Sequence, residues 1–232
     1  MFVLVCDHAS NRLPRALGSL GLSDGDRARH IAWDIGAAAV TRLMAATLGA
    51  AALLQNYSRL VIDCNRAPTA PDSIATHSEA TAIPGNVDLP AEARAQRLNE
   101  IFHPYHDRLR AELDQRAGRA TCLVALHSFT PTFHGESRPM HVGVLYNRDA
   151  RIARPLLRHL RADGDIAVAE NAPYPLDDID YTLPLHGAQR GLPHVEIEIR
   201  QDLIADPGGQ KRWGDRLSRA LVTSWNDFTK ES

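Results

Sequence analysis

Apolar and polar residues along this chain follow two alternating periods. Short uncharged runs, too brief for helices, recur at Phe2–Cys6 and at residues 60–64, 121–126 and 141–146. A run apolar at nearly every position predicts a strand covered on both faces, as in a parallel sheet. Residues 166–169 predict a weaker strand at an edge, and residues 51–55 fit neither period. Between these runs, apolar positions recur every three or four residues. Ile31, Ile35, Ala38, Leu43 and Met44 predict a helix over 24–48, capped at Ser23 or Asp24 and ended by Gly49. Leu98, Ile101, Phe102, Tyr105 and Leu109 predict a second over 91–116, which Pro104 kinks or divides. Residues 150–163 form a third, and Trp213, Leu217, Leu221 and Trp225 mark a closing helix over 209–228. The proline-rich stretch 67–90 reads as a long loop, of the kind that is usually functional. Residues 129–139 and 171–180 read as loops, and 181–190 as a loop or short helix. Strands alternating with helices predict an α/β fold: one domain over residues 1–232, with a mixed, mostly parallel central sheet and helices on both faces.

The last strand, HVEIEIR over His194–Arg200, has a different texture. Val195, Ile197 and Ile199 face one way; His194, Glu196 and Glu198 face the other. An edge strand with a wetted face explains that alternation, but Leu192-Pro193 before it and Leu203-Ile204 after it do not suit a solvated edge. Carboxylates turned into a partly buried site need a metal, a cation or a proton.

Open α/β sheets bind ligands at the carboxyl ends of their strands. Here those ends carry His8, Asn65-Arg66, His127 and Glu198. Two imidazoles and a carboxylate suit a catalytic zinc that keeps one position open. A further carboxylate off the metal would take a proton from water, and Arg66 offers a planar fork for a substrate carboxylate. Singly each signal is weak, because a His-Ser or an Asn-Arg after a strand is common in proteins that bind nothing.

Composition narrows the classes. The 232 residues carry a formal charge of −2, which gives no basic surface for nucleic acid. No apolar run is long enough to span a bilayer. The start, MFVLVCDHAS, lacks a basic leader and reads as the first strand. Cys6, Cys64 and Cys122 each sit in an apolar run, which predicts buried thiols and a cytoplasmic protein. There is no Gly-x-Ser-x-Gly elbow and no glycine-rich phosphate loop, which argues against a serine hydrolase or a nucleotide enzyme.

The strand-end motifs IDCNR (62–66), LHSF (126–129) and EIR (198–200) resemble those of the zinc carboxypeptidases, in the same chain order. More closely, CDHASNRLP, HIAWDIGA, YSRLVIDCNR, LHSFTP, RPMHVGVLYNRD and VEIEIRQDLI resemble the N-formylglutamate amidohydrolase family from residue 6 to about 204. The resemblance implies a zinc-exopeptidase-like fold and one Zn2+ ion. It also implies hydrolysis of an N-acyl amino acid, chiefly N-formyl-L-glutamate to formate and glutamate. His8 and His127 become metal ligands, Glu198 the base that activates the metal-bound water, and Arg66 with Asn65 the carboxylate anchor. The His-x-x-Glu of carboxypeptidases is missing, because Ala9, Ser10 and Asn11 follow His8. Asp34, expected inside the first helix beside Trp33, is taken as the third ligand, ahead of Asp7 and Glu196. Arg59, Tyr181 and Arg190 are further candidates for substrate binding, with His186 near the pocket. His77, His103, His106, His134, His141 and His159 are read as structural or exposed. A zinc hydrolase of a peptide or another acyl-amino acid, and a metal-free binding protein on the same fold, are the competing readings.

Overall fold

The apolar runs at the two ends of the chain and at its middle meet side by side. In the computed structural model, which describes residues 1–176 and 180–231, they form the centre of a six-stranded sheet. We number its strands β1 (Phe2–Cys6), β2 (Ala51–Leu54), β3 (Cys122–Phe129), β4 (Val142–Leu145), β5 (Val168–Glu170) and β6 (His194–Arg200). Their order in space is β2-β1-β3-β6-β4-β5. The first four are mutually parallel, whereas β4 runs antiparallel to β6 and β5 parallel to β4. The sheet is therefore mixed and mostly parallel, as the pattern predicts.

The helices are α1 (Asp24–Ala28), α2 (Ala37–Leu48), α3 (Ala91–Arg97), α4 (His103–Asp114), α5 (Ala153–Ala162), α6 (Thr182–His186) and α7 (Pro207–Glu231). On one face of the sheet, Leu4, Cys122, Val124, Leu126, Val195 and Ile197 pack against apolar side chains of α2, α5 and α7. On the other, Val3, Val5, Leu123 and Ala125 pack against Phe102 and against Tyr105 and Leu109 of α4. Strand alternation then decides where the chemistry falls. Val195, Ile197 and Ile199 belong to the first core, so Glu196 and Glu198 turn toward the face that α4 covers. The strand β6 is central, not a wet edge, and its side chains through Ile199 are buried. No helix among the described residues is long and apolar enough to cross a membrane.

Four expectations need correction. Residues 60–64 are buried but form turns, not a strand. Their polar groups are satisfied locally: the Asp63 amide donates to Ser73 O, and Arg97 and Asn86 donate to the carbonyls of Val61 and Leu60. Uniform apolarity reports burial, which sheet pairing does not have to supply. The unassigned stretch at 51–54 takes the ladder position beside β1 instead. The helix expected over 24–48 is broken: α1 ends at Ala28, and α2 starts only after Gly36, whose φ is +82°. Asp34 thus lies in the connection, not in a helix. Finally β3 does not stop before His127. It pairs with β6 through Phe129, because β6 extends equally far, and only Pro131 ends it.

Pro104 neither breaks nor divides the second long helix. The widened turn Leu98–Phe102 is π-helical, with the His103 amide donating to Leu98 O, and Pro104 falls in the first turn of α4. Of the loop expected over 171–180, residues 177–179 lie outside the described residues.

Gly36 sets the direction in which the chain leaves Asp34. A Cβ there would stand 2.2 Å from Ile204 O and 2.8 Å from Ile204 Cγ1, at a positive φ. Gly36→Ala is expected to cost at least ~1–3 kcal/mol, measured by urea unfolding.

Candidate active site

The carboxyl ends of the parallel strands β1, β3 and β6 open into one cavity of about 310 Å³. It is lined by His8, Asp34, Arg59, Asn65, Arg66, His127, Glu196 and Glu198, all of them singled out by the sequence. His8 follows β1 directly, and its carbonyl accepts from the Asp34 amide (2.9 Å), which docks the 29–36 connection against the strand end. Ser128 completes that dock. Its amide donates to Asp34 Oδ2 (3.3 Å) and its hydroxyl to Ile35 O (2.9 Å).

Asp34 Oδ2 sits between two imidazole nitrogens, 3.4 Å from His8 Nδ1 and 2.8 Å from His127 Nδ1. Ligand atoms about 2.0–2.1 Å from a tetrahedral zinc lie roughly 3.3 Å from one another. The donor atoms of His8, Asp34 and His127 fall within 4.8 Å of each other, so a small shift places all three on one ion. The tautomer of His8 also fits. Its Nε2 donates to Asp63 Oδ1 (2.7 Å), which leaves Nδ1 as a bare lone pair, buried and without a hydrogen-bond partner. His127 is similar: Nδ1 faces Asp34, and Nε2 lies 3.5 Å from Asp7 Oδ2 and 3.9 Å from Glu196 Oε2. Asp7 in turn accepts from the hydroxyls of Tyr105 (2.6 Å) and Thr182 (3.0 Å). Each imidazole therefore has a carboxylate behind it, the usual way in which ligand histidines are oriented.

Burial favours neutral imidazole at His8 and His127, yet both are held above the ordinary histidine range by carboxylates: Asp63 and Asp34 around His8, Glu196, Asp34 and Asp7 around His127. Burial pushes Glu196 and Glu198 up to about 8, against the pull of His127. So much buried acid calls for positive charge, and neutral imidazole lone pairs with a carboxylate are the donor set zinc takes.

Glu198 stands opposite His127 in the β3–β6 register. Its Oε2 is buried and lacks a hydrogen-bond partner. Asp63, which the sequence displays but which drew no role there, proves to be a hub. It accepts from His8, from the Asn65 amide (2.8 Å) and twice from Arg59 (3.0 and 2.7 Å). Burial would raise its pKa, but Arg59 and His8 hold it well below the carboxylate range. Asp63→Asn is expected to weaken zinc binding about 10–100-fold, measured by competition with a chelator.

Arg66 projects into the cavity with part of its fork engaged, by Asp72 (3.1 Å), Asp180 (3.1 Å) and Asn65 O (2.9 Å). Arg59 spends Nε and Nη2 on Asp63, and its Nη1 lies 3.9 Å from Asp34 Oδ1. Asn65 does not reach outward. Its Oδ1 accepts from the amides of Tyr181 and Thr182, and its Nδ2 donates to Asp180. The Tyr181 ring packs on Phe102 and His106, outside the cavity wall, and Arg190 pairs with Asp114 away from it. Sequence reasoning missed His30, Tyr174 and Asp180, which also line the cavity. They lie in connecting segments with no periodicity to mark them.

His186 lies behind the site. It stacks on His106, whose Nε2 donates to Cys64 O and whose Nδ1 is 3.0 Å from His186 Nε2. Burial and the neighbouring His106 lower the His186 pKa from 6.5 to about 3. Between those two values the unfolded chain takes up a proton that the folded protein refuses, so this contribution is complete above 6.5 and is lost as pH falls toward 3. Urea titrations across that range should show His186→Gln with a shallower acid slope than the parent. The three cysteines are buried and unpaired, as expected; burial raises the Cys6 thiol to about 12.

The profile of the N-formylglutamate amidohydrolase family matches residues 1–205. Among solved structures, the gene product Atu2144 from Agrobacterium tumefaciens superposes with a TM-score of 0.95 at 39% identity, covering 98% of this chain and 91% of that one. The N-formylglutamate amidohydrolase from Ralstonia eutropha JMP134 superposes with a TM-score of 0.77 at 18% identity, covering 100% of this chain and 94% of that one. The latter similarity speaks to the fold. No curated protein matches the chain in sequence.

Proposed function

Because the chain belongs to the N-formylglutamate amidohydrolase family, we propose that it is a cytoplasmic zinc enzyme hydrolysing N-formyl-L-glutamate to formate and L-glutamate. The observation that carries this reading is the convergence of His8 Nδ1, Asp34 Oδ2 and His127 Nδ1, with Glu198 across the strand pair from His127. His8, Asp34 and His127 would hold the zinc, which when bound polarises the formyl carbonyl and makes water more acidic. Glu198 receives a proton from the water that attacks the formyl carbon. It returns that proton to the glutamate nitrogen as the C–N bond breaks, so that formate and a neutral amine leave. Arg66, and the Arg59 nitrogen not bound to Asp63, anchor substrate carboxylates. Asn65 acts one step back, fixing the strand-end turn and the 180–182 segment around Arg66.

The test is formate release from N-formyl-L-glutamate by zinc-loaded protein and by protein stripped with a chelator. Release that is indifferent to zinc removal, or no release, rejects the reading.

One observation favours a larger acyl-amino acid as a second reading. The wall formed by His30, Arg59, Arg66 and Tyr174 is shared with an adjoining chamber of about 330 Å³, bordered by the 67–90 loop through Asp72, His77 and Glu79. Turnover of N-formyl-L-glutamate against N-formyl-L-methionine and a formylated dipeptide separates the two: preference for the dipeptide assigns the chamber to substrate.

A further inference from the structure

The largest cavity we describe is not the one at the zinc-type site. It measures about 1,090 Å³ and lies at the opposite end of the sheet, around His194 at the start of β6 and residues 147–151 after the antiparallel β4. Four residues of extended chain, roughly 13 Å, separate His194 from Glu198. The cavity wall carries four guanidiniums, from Arg148, Arg151, Arg154 and Arg158, against one carboxylate, Asp149. Asp149 already binds Arg151 through both oxygens (2.9 and 2.7 Å), and Arg158 pairs with Asp227. Arg148 and Arg154 are in no ion pair within 4.0 Å among the described residues, though Arg154 lies near the Tyr146 hydroxyl and Glu170. The start of α5 adjoins the same cavity, with no side-chain cap and no acidic residue in its first turn.

A second, independent observation comes from His194, which is 1% exposed. Its Nδ1 lies 2.8 Å from Leu192 O, a carbonyl that only accepts, so the ring proton sits on Nδ1. Nε2 is then a buried lone pair, and it has no partner.

We propose that this cavity binds phosphate, free or as a monoester on a small metabolite. A phosphate keeping one proton near neutral pH offers an O–H to the His194 lone pair and oxyanions to the guanidiniums of Arg148 and Arg154. A fully ionised carboxylate offers only the second. The site is separate from the hydrolytic centre and makes this enzyme responsive to phosphorylated compounds.

Isothermal titration of the zinc-loaded protein at constant ionic strength tests this, with inorganic phosphate, glycerol 3-phosphate and succinate as probes. Phosphate and its monoester are expected to bind, and succinate to bind at least about tenfold more weakly. Tighter binding of glycerol 3-phosphate identifies a phosphorylated metabolite as the occupant, and equal binding identifies free phosphate; both support the site. The double variant Arg148→Gln/Arg154→Gln should lose about tenfold or more in phosphate affinity, while turnover without phosphate stays at the parent level. The His194 imidazole ¹⁵N resonances should move on titration. No phosphate binding, undiminished binding in the double variant, equal binding of succinate, or an unmoved His194 signal would each overturn the proposal.

Discussion

Glu198→Gln is expected to keep its fold and its zinc while turning over N-formyl-L-glutamate about 10³-fold more slowly, within the range by which a positioned base accelerates a reaction. The carboxamide preserves size and hydrogen-bonding reach but accepts no proton at neutral pH. Burial raises the Glu198 carboxylate to about 8 and leaves Oε2 with no neighbour to bond. Such a group is poised to take and release a proton when water is placed against it. Glu196 has the same strand, burial and direction of shift, but its Oε2 lies 3.9 Å from His127 Nε2, behind the imidazole. Glu196→Gln should therefore cost only about 10-fold, acting through the orientation of His127. Comparable losses in the two variants would dissolve the distinction, and near-parent turnover of Glu198→Gln would remove Glu198 from its role.

Asp34→Ala should leave the protein with little bound zinc and turnover at background. Asp34 Oδ2 is the only carboxylate oxygen among the described residues placed between the Nδ1 atoms of both histidines. Asp7 and Glu196 approach the far nitrogen of His127 instead. Removing Asp34 leaves two imidazoles, too few donors for tight zinc binding when water must fill the rest. Zinc content per chain by atomic absorption measures the effect. A full complement of zinc in the variant would pass the third position to Asp7 or Glu196.

The parts of this molecule legible in its sequence are those where burial and pairing coincide. β1, β3 and β6 are apolar because they are central, and their strand-end side chains were identified as a group for that reason. Residues 60–64 show the limit. Leu60, Val61 and Ile62 are as buried as any strand residue, but Arg97 and Asn86 bind carbonyls there instead of a neighbouring strand. Nothing in an apolar run tells which partner its backbone will find. Asp34 was singled out although its expected setting, a helix, was incorrect: an acid between Trp33 and Ile35 is conspicuous in either conformation. Asp63 was equally visible inside IDCNR, yet its task depends on His8 and Arg59, brought to it by folding. Arg190 and Tyr181 were placed near substrate by chain order alone, and the structure turns both side chains elsewhere.

The widened turn at Leu98–Phe102 bears on how this family can vary in length. It holds one residue more than regular winding over the same rise would use. Deleting a single residue there would restore the ordinary pitch, but it would spin the downstream segment by about 100° about its axis. Tyr105 would swing off Asp7, and the support behind His127 would go with it. The phase of α4, and through it the aim of an imidazole on another strand, is kept by one surplus residue.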